Sequence, residues 1–545
     1  MEPCRGRKSS VRRMSMSRSW IVIGFLFVLP LVSCGDLAKD TPAKEITYLE
    51  QGWTPKLRQQ FYYTNQGSLL IPYKWFLALE QPSNQGPFRA DNHIEGLRYI
   101  VGKPDPEYNP DGLPVGFVKE NDPETIKFAY KRAFSEGKVA KEDHVKTDAW
   151  IGFTCAACHT GEIQYAGRRI RIDGGPTMAD SATFLELMTE SLTATTKQDA
   201  KMTRFAQQVL GSEYSKDQGS ALRNEVMKFT KGFIAMVKLN DSPHPYGFGR
   251  VDAFGAIMND IAVIALGIPE NRGIADAPVS YPFLWNTPKL DWVQWNGSIN
   301  NPIGRNVGEA LGVFARLNLT GPPADLFKST ANVKNLHLLE KWIDDLKSPR
   351  WPEEILGKLD PKKAKRGETL YMKNCVACHS VKDPKTDQYP MTTPNKYGKQ
   401  FITIRMVRLA AIKTDPQMAL NFAQRTAKTG NLAQFIPGNP RTAPARDLIG
   451  IAAGGVIKRK FGEMSPPLTP KQLLDYTGYR VPPPEGPEPP NVLAYKARPL
   501  NGIWATAPFL HNGSVPNLYQ LLLPVDQRVK TFYVGSREFD PKNVG

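Results

Sequence analysis

The chain has 545 residues, is 41% hydrophobic and 10% aromatic, and carries a formal charge of +17. These proportions exclude a disordered polypeptide, and the length leads us to expect two or three domains with more than one core. Of the six cysteines, Cys4 and Cys34 belong to the N-terminal leader and the other four fall in two short motifs.

Residues 1–33 read as an export signal. Arg5, Arg7, Lys8, Arg12, Arg13 and Arg18 face one acid, Glu2, and the apolar run from Trp20 to Val32 is too short to span a bilayer but suits a leader. The run ends Leu31-Val32-Ser33-Cys34-Gly35, which is similar to a bacterial lipobox, where the cysteine is acylated and becomes the new N-terminus. Acyl chains anchor such a protein, each buried methylene contributing ~0.8 kcal/mol. The alternative is an ordinary cleaved leader in which Cys34 is incidental, and Cys4 has no readable function. Loss of residues 1–33 removes six bases and one acid, so the formal +17 becomes +12. The expected location is the bacterial cell envelope, lipid-anchored in the outer membrane or facing the periplasm. An exported basic chain suits an acidic redox partner or anionic lipid and excludes nucleic acid; solvated lysine faces are the plainer alternative.

Residues 34–145 read as an N-terminal extension, with helical pieces at Leu57 to Tyr63 and Trp75 to Glu80 and a Pro/Gly/Asp-rich loop from Lys103 to Pro114. His93 and His144, in polar surroundings, read as surface residues.

Residues 146–346 form the first expected haem domain, organised around Cys155-Ala156-Ala157-Cys158-His159. Two thiols three positions apart can each add to a vinyl group of a haem, and the adjacent imidazole then faces the iron, so C-x-x-C-H signals c-type haem attachment. Structural zinc and a redox dithiol are the alternatives. A Gly- and charge-rich stretch from Arg168 to Met178 reads as loop, with Gly167 to Asp173 an isolated strand candidate. Farther on, Leu222, Val226, Phe229, Phe233 and Val237 share a helical face and read as core. Gly247-Phe248-Gly249 lacks the third glycine and the preceding strand of a nucleotide loop. Asn296-Gly297-Ser298 and Asn512-Gly513-Ser514 match a glycosylation pattern, which a bacterial lipobox argues against.

A linker, residues 347–365, carries Pro349, Pro352 and Pro361. The second haem domain, 366–545, opens with a short helix that feeds Cys375-Val376-Ala377-Cys378-His379. Val481 to Pro490 reads as an extended surface connection. Apart from the two pentapeptides, no internal repeat is visible. With no run of alternating strands, the expected fold is mainly α: two cytochrome c-like domains with long loops and an N-terminal extension.

The two motifs, Trp285-Asn286-Thr287-Pro288, Trp295-Asn296-Gly297, Glu309-Ala310-Leu311, and Arg498-Pro499-Leu500 through Thr506-Ala507-Pro508-Phe509-Leu510-His511-Asn512-Gly513 occur in this order. Together they resemble the bacterial di-haem cytochrome c peroxidase superfamily, which also holds the methylamine-dehydrogenase maturation enzyme and the rubber oxygenases. The sequence around Trp285 and Trp504 and the inter-motif length look nearer the rubber-oxygenase branch. The resemblance implies that Trp295 lies between two haems c and that Glu309 is the distal acid-base group beside the reactive haem. It also makes Asn286, Thr506 and Pro508 candidate calcium ligands. His511 is a candidate iron ligand for the second haem, the alternative being a hydrogen-bonded core histidine. His244, Met391, Met406, Met418 and Met464 are weaker candidates.

The expected function is reduction of hydrogen peroxide at the first haem, with electrons arriving from a small cytochrome c or cupredoxin through the second haem and Trp295. A haem dioxygenase of the rubber-oxygenase kind is the alternative enzyme, and a non-catalytic electron carrier with two six-coordinate irons is the alternative outside enzymes.

Overall fold

The computed structural model describes residues 45–127, 134–135, 138–139 and 147–545. The leader, Cys34 and His144 lie outside the described residues. Helix accounts for 42% and strand for 12%, so the architecture is mixed and the mainly α expectation fits only roughly. The strands hid from sequence because the longest span six residues, too few for alternation to stand out.

The first motif sits between two small sheets. Trp150–Phe153 pairs antiparallel with Ile71–Pro72 on one side and Phe117–Glu120 on the other, then runs directly into Cys155. Beyond His159, Thr160–Tyr165 and Arg168–Asp173 form a hairpin that turns at Ala166 and Gly167, both at positive φ as a two-residue turn requires. Ile46–Tyr48 adds in parallel to its far strand. The strand candidate ending at Asp173 is thus one arm of a hairpin, in place of the loop read from Arg168. A buried ion pair, Arg58 Nε to Asp173 Oδ2 at 2.7 Å, ties the helix Pro55–Tyr63 to the hairpin end.

Helices Ser181–Lys197, Asp199–Leu210 and Lys216–Leu239 pack as a trio against the first of these sheets, the one that contains Trp150–Phe153. The third begins at a Ser215 cap and buries Leu222, Val226, Phe229 and Phe233. Phe229 meets Trp75 edge-on at 5.4 Å and Trp150 at 6.0 Å, so the residues before the first motif and the trio share one aromatic core.

Helix Pro302–Gly312 is the spine of the molecule. Asn301 caps it, Pro302 occupies its first turn, and it packs on Ala253–Asn259, Val333–Asp344 and Ala445–Gly462. Ala253–Asn259 continues as a π-helical turn, Asp260–Ala265, a form that recurs at functional sites. In the second half, the exposed helix Pro361–Asn374 leads into Cys375, and Arg405–Arg408 pairs antiparallel with Ala494–Ala497. The start of the linker is anchored: Trp351 meets Trp504 at 5.3 Å, and Trp504 Nε1 donates to Pro349 O. One continuous core draws on residues from Leu49 to Phe539. No helix among the described residues is long and apolar enough to cross a membrane.

Candidate functional site

Thr154 shapes the first motif. Its hydroxyl accepts from Ala156 N and donates to Tyr62 O, which starts a tight turn over Cys155–Ala157 and brings His159 N to within 2.9 Å of Cys155 O. Overhead, Gly116 at φ +83 passes so close that a Cβ there would lie 2.0 Å from Ala157 N. Ala156 and Ala157 are buried, while Cys155, Cys158 and His159 keep accessible surface. Burial nevertheless pushes both thiols up to about 12 and His159 down to about 4.

His159 Nδ1 lies 2.8 Å from Pro282 O. A carbonyl only accepts, so Nδ1 carries the proton and Nε2 presents a bare lone pair, as an iron ligand must. The second motif repeats this: His379 Nδ1 lies 2.9 Å from Arg498 O, and Tyr371 Oη donates to His379 O. All four thiols are free. In each half, two free thiols beside an imidazole oriented by a main-chain carbonyl, with unsatisfied buried polar atoms in the same segments, fit a covalently held haem. Those atoms are Arg250 Nε, Ser280 Oγ, both amide atoms of Asn296 and Arg498 Nε. Ser280 pairs across strands with Arg250, so two of the unpartnered groups are neighbours.

The two histidine acceptors belong to a duplicated segment that was not recognised in sequence. Residues 282–301 and 498–517 match at one constant offset. Asn286 and Gly502 both take left-handed backbone, at φ 67 and 74, and each opens a 3-10 turn, Thr287–Lys289 and Ile503–Ala505. The bridge between Val293 and Ile299 recurs between Phe509 and Val515. Gln294 and Leu510, then Gly297 and Gly513, again share positive φ, and Asn301 and Asn517 each cap a helix. The readable signal was Trp-Asn-Gly-Ser against His-Asn-Gly-Ser, set aside above as glycosylation patterns.

Trp295 and His511 are equivalent positions, and they meet. Their ring centroids lie 6.3 Å apart at 68°, Trp295 Nε1 donates to Ser280 O, and Ser280 N donates to His511 O. His511 is buried, stacks on Tyr495 at 4.2 Å, and is pushed down to about 4 by burial.

Glu309 is the one exposed residue of helix Pro302–Gly312, with 46% of its side chain accessible, yet desolvation raises its pKa, opposed by Arg305. Its Oε1 accepts from Gln294 Nε2 at 2.7 Å and lies 3.9 Å from Arg305 Nε, while Arg305 pairs with Glu340. Its charge contributes to the raised Cys155 thiol, so it belongs to the first-motif side. Lys496, held far below its usual range by burial, feels the same carboxylate, and Lys496 N donates to Trp295 O at 2.8 Å.

Two of the calcium candidates make local hydrogen bonds. Asn286 Nδ2 donates to Asn501 Oδ1 and Thr506 Oγ1 to Ile503 O. Among the described residues, no three His, Cys, Asp or Glu side chains cluster to hold a metal. Only amide and carbonyl oxygens remain for calcium at Asn286, Thr506 and Pro508, a poor fit for that ion without a carboxylate. His244 is exposed, Met391 lies at the surface, and Met418 is packed in a core.

Residues 494–533 match the family described as RoxA-like, cytochrome c-like. The Sinorhizobium fredii protein named Uncharacterized protein y4iJ is 33% identical to this chain over 96% of it and 88% of its own length. A second protein of that organism, Uncharacterized protein y4iM, is 28% identical over 48% of each chain.

Proposed function

This chain belongs to the family of the Sinorhizobium fredii protein y4iJ, and from that premise we propose that it is a di-haem c-type oxidoreductase that splits O–O bonds at its first haem. Its RoxA-like, cytochrome c-like segment implies a haem-binding cytochrome with covalent haem c. The observation that carries the di-haem reading is the pair of imidazoles, each donating Nδ1–H to a main-chain carbonyl at equivalent points of a duplicated segment. When bound, haem would supply redox-active iron, with His159 and His379 as the residues that would hold it.

The protein's own groups supply the rest. Cys155, Cys158 and His159 hold the reactive centre; Cys375, Cys378 and His379 hold the centre that receives electrons. Glu309 offers a carboxyl on the first-motif side for proton transfer to an O–O bond, and Gln294 orients it. Trp295 and His511 fill the junction between the halves, with rings close enough to serve as an electron path. Calcium at Asn286, Thr506 and Pro508 plays no part in this reading. Cys34 is the proposed lipid anchor and the envelope the proposed site of action.

The electron donor is a small acidic redox protein. Residues 361–413, around the second motif, carry twelve Lys and Arg against three Asp and Glu, and all twelve bases are exposed. The RoxA-like match favours a second reading, oxygen-dependent cleavage of an isoprenoid polymer at the same centre. Stopped assays separate the two. Consumption of hydrogen peroxide with a reduced small cytochrome c supports the peroxidase; oxygen uptake with polymer fragments and no peroxide turnover overturns it in favour of the oxygenase.

A further inference from the structure

The bonds that orient the two proximal imidazoles end on segments that one side chain ties together. Arg498 offers its carbonyl oxygen to His379 Nδ1. Its guanidinium turns back into the first half of the duplication, Nη1 donating to Phe283 O at 2.9 Å and Nη2 to Trp285 O at 2.6 Å. The same group lies 3.6 Å from the centroid of the Phe283 ring. The residue before Phe283 is Pro282, whose carbonyl holds His159. Phe283 stacks on Trp285 at 4.4 Å, and Trp285 Nε1 returns to Asn501 O at 2.7 Å, closing a ring of contacts between the two equivalent segments.

Arg498 is 5% exposed. Among the described residues no carboxylate pairs with it, so the segment between the two imidazoles holds a buried positive charge. A buried positive charge favours the reduced, less positive state of a nearby iron, and the acceptor on Nδ1 tunes the basicity of a ligating imidazole.

We propose that Arg498 is a positioning residue that couples the two haem centres, its carbonyl orienting His379 and its guanidinium fixing the segment that orients His159. The coupling rests on the reading of both motifs as haem-binding. The guanidinium acts as a planar fork stacked on Phe283, a role that a lysine does not reproduce.

The test is an optical redox titration of the full di-haem protein, resolved into two midpoint potentials, with electron paramagnetic resonance spectra of the oxidised form, for wild type, R498Q and R498K. R498Q is expected to lower both potentials. R498K keeps the charge but loses the fork, so both potentials stay nearer wild type while the resonance signals of both haems change. A shift confined to the haem at His379, or no shift, overturns the coupling. Should R498Q fail to retain two haems, R498K carries the test, and an unchanged signal from the haem at His159 overturns it. No substrate is present in these titrations. Two haems without peroxide turnover would refute the proposed function alone, whereas normal turnover with a one-haem shift would refute the coupling alone.

Discussion

Glu309 shows how surroundings change the chemistry of a single residue. Desolvation by the enclosing protein raises its pKa, so it keeps its proton to higher pH than a surface glutamate. Glu309→Gln should lower peroxide turnover by ~10²–10⁴-fold, the usual reach of a positioned acid-base group, with both haems retained. Wild-type turnover should fall as pH rises through the raised pKa, and that limb should vanish in the variant; an unchanged pH profile refutes the assignment. Asp260, in the π-helical turn, is pushed up to about 8 by burial, with Arg316 opposing. Above pH ~4 the unfolded chain releases this proton while the folded chain keeps it, so stability is full at low pH and declines from about 4 towards 8. Asp260→Asn should therefore raise the melting temperature at pH 8 and lose that advantage near pH 4, as measured by thermal melts at both values.

At the scale of elements, the legible parts are those whose chemistry demands contiguous residues. Cys155, Cys158 and His159 must be close in sequence to serve one haem, and the buried stripe of helix Lys216–Leu239 follows from helical period. The carbonyls of Pro282 and Arg498 had no such signature, because every residue carries a carbonyl and only the fold aims these two. The short strands flanking the first motif escaped for lack of length, and with them the reason for Gly116. Its left-handed backbone and the 2.0 Å approach to Ala157 leave no room for a side chain. Gly116→Ala should displace the first motif and yield protein that carries one covalent haem, on the second motif, by intact mass; two haems would contradict the proposed packing.

The whole molecule joins a recessed motif to an accessible one. The first motif is enclosed by two sheets and the spine helix, whereas the second lies beneath an exposed, lysine-rich helix. Docking of an acidic donor there should be electrostatic. The second-order rate constant with such a donor should drop steeply as salt shortens the Debye length from about 30 Å at 0.01 M to about 8 Å at 0.15 M, while that of a small neutral reductant stays flat. Trp295 and His511 are equivalent positions that meet between the halves, and the proposed division of labour would have its physical junction there. Low-temperature electron paramagnetic resonance of the oxidised and half-reduced protein, titrated with hydrogen peroxide, tests that division most directly. The expected result is two irons, one of them high-spin or becoming so on half-reduction and reacting with peroxide. Two low-spin irons that never open and ignore peroxide would contradict it and leave an electron carrier.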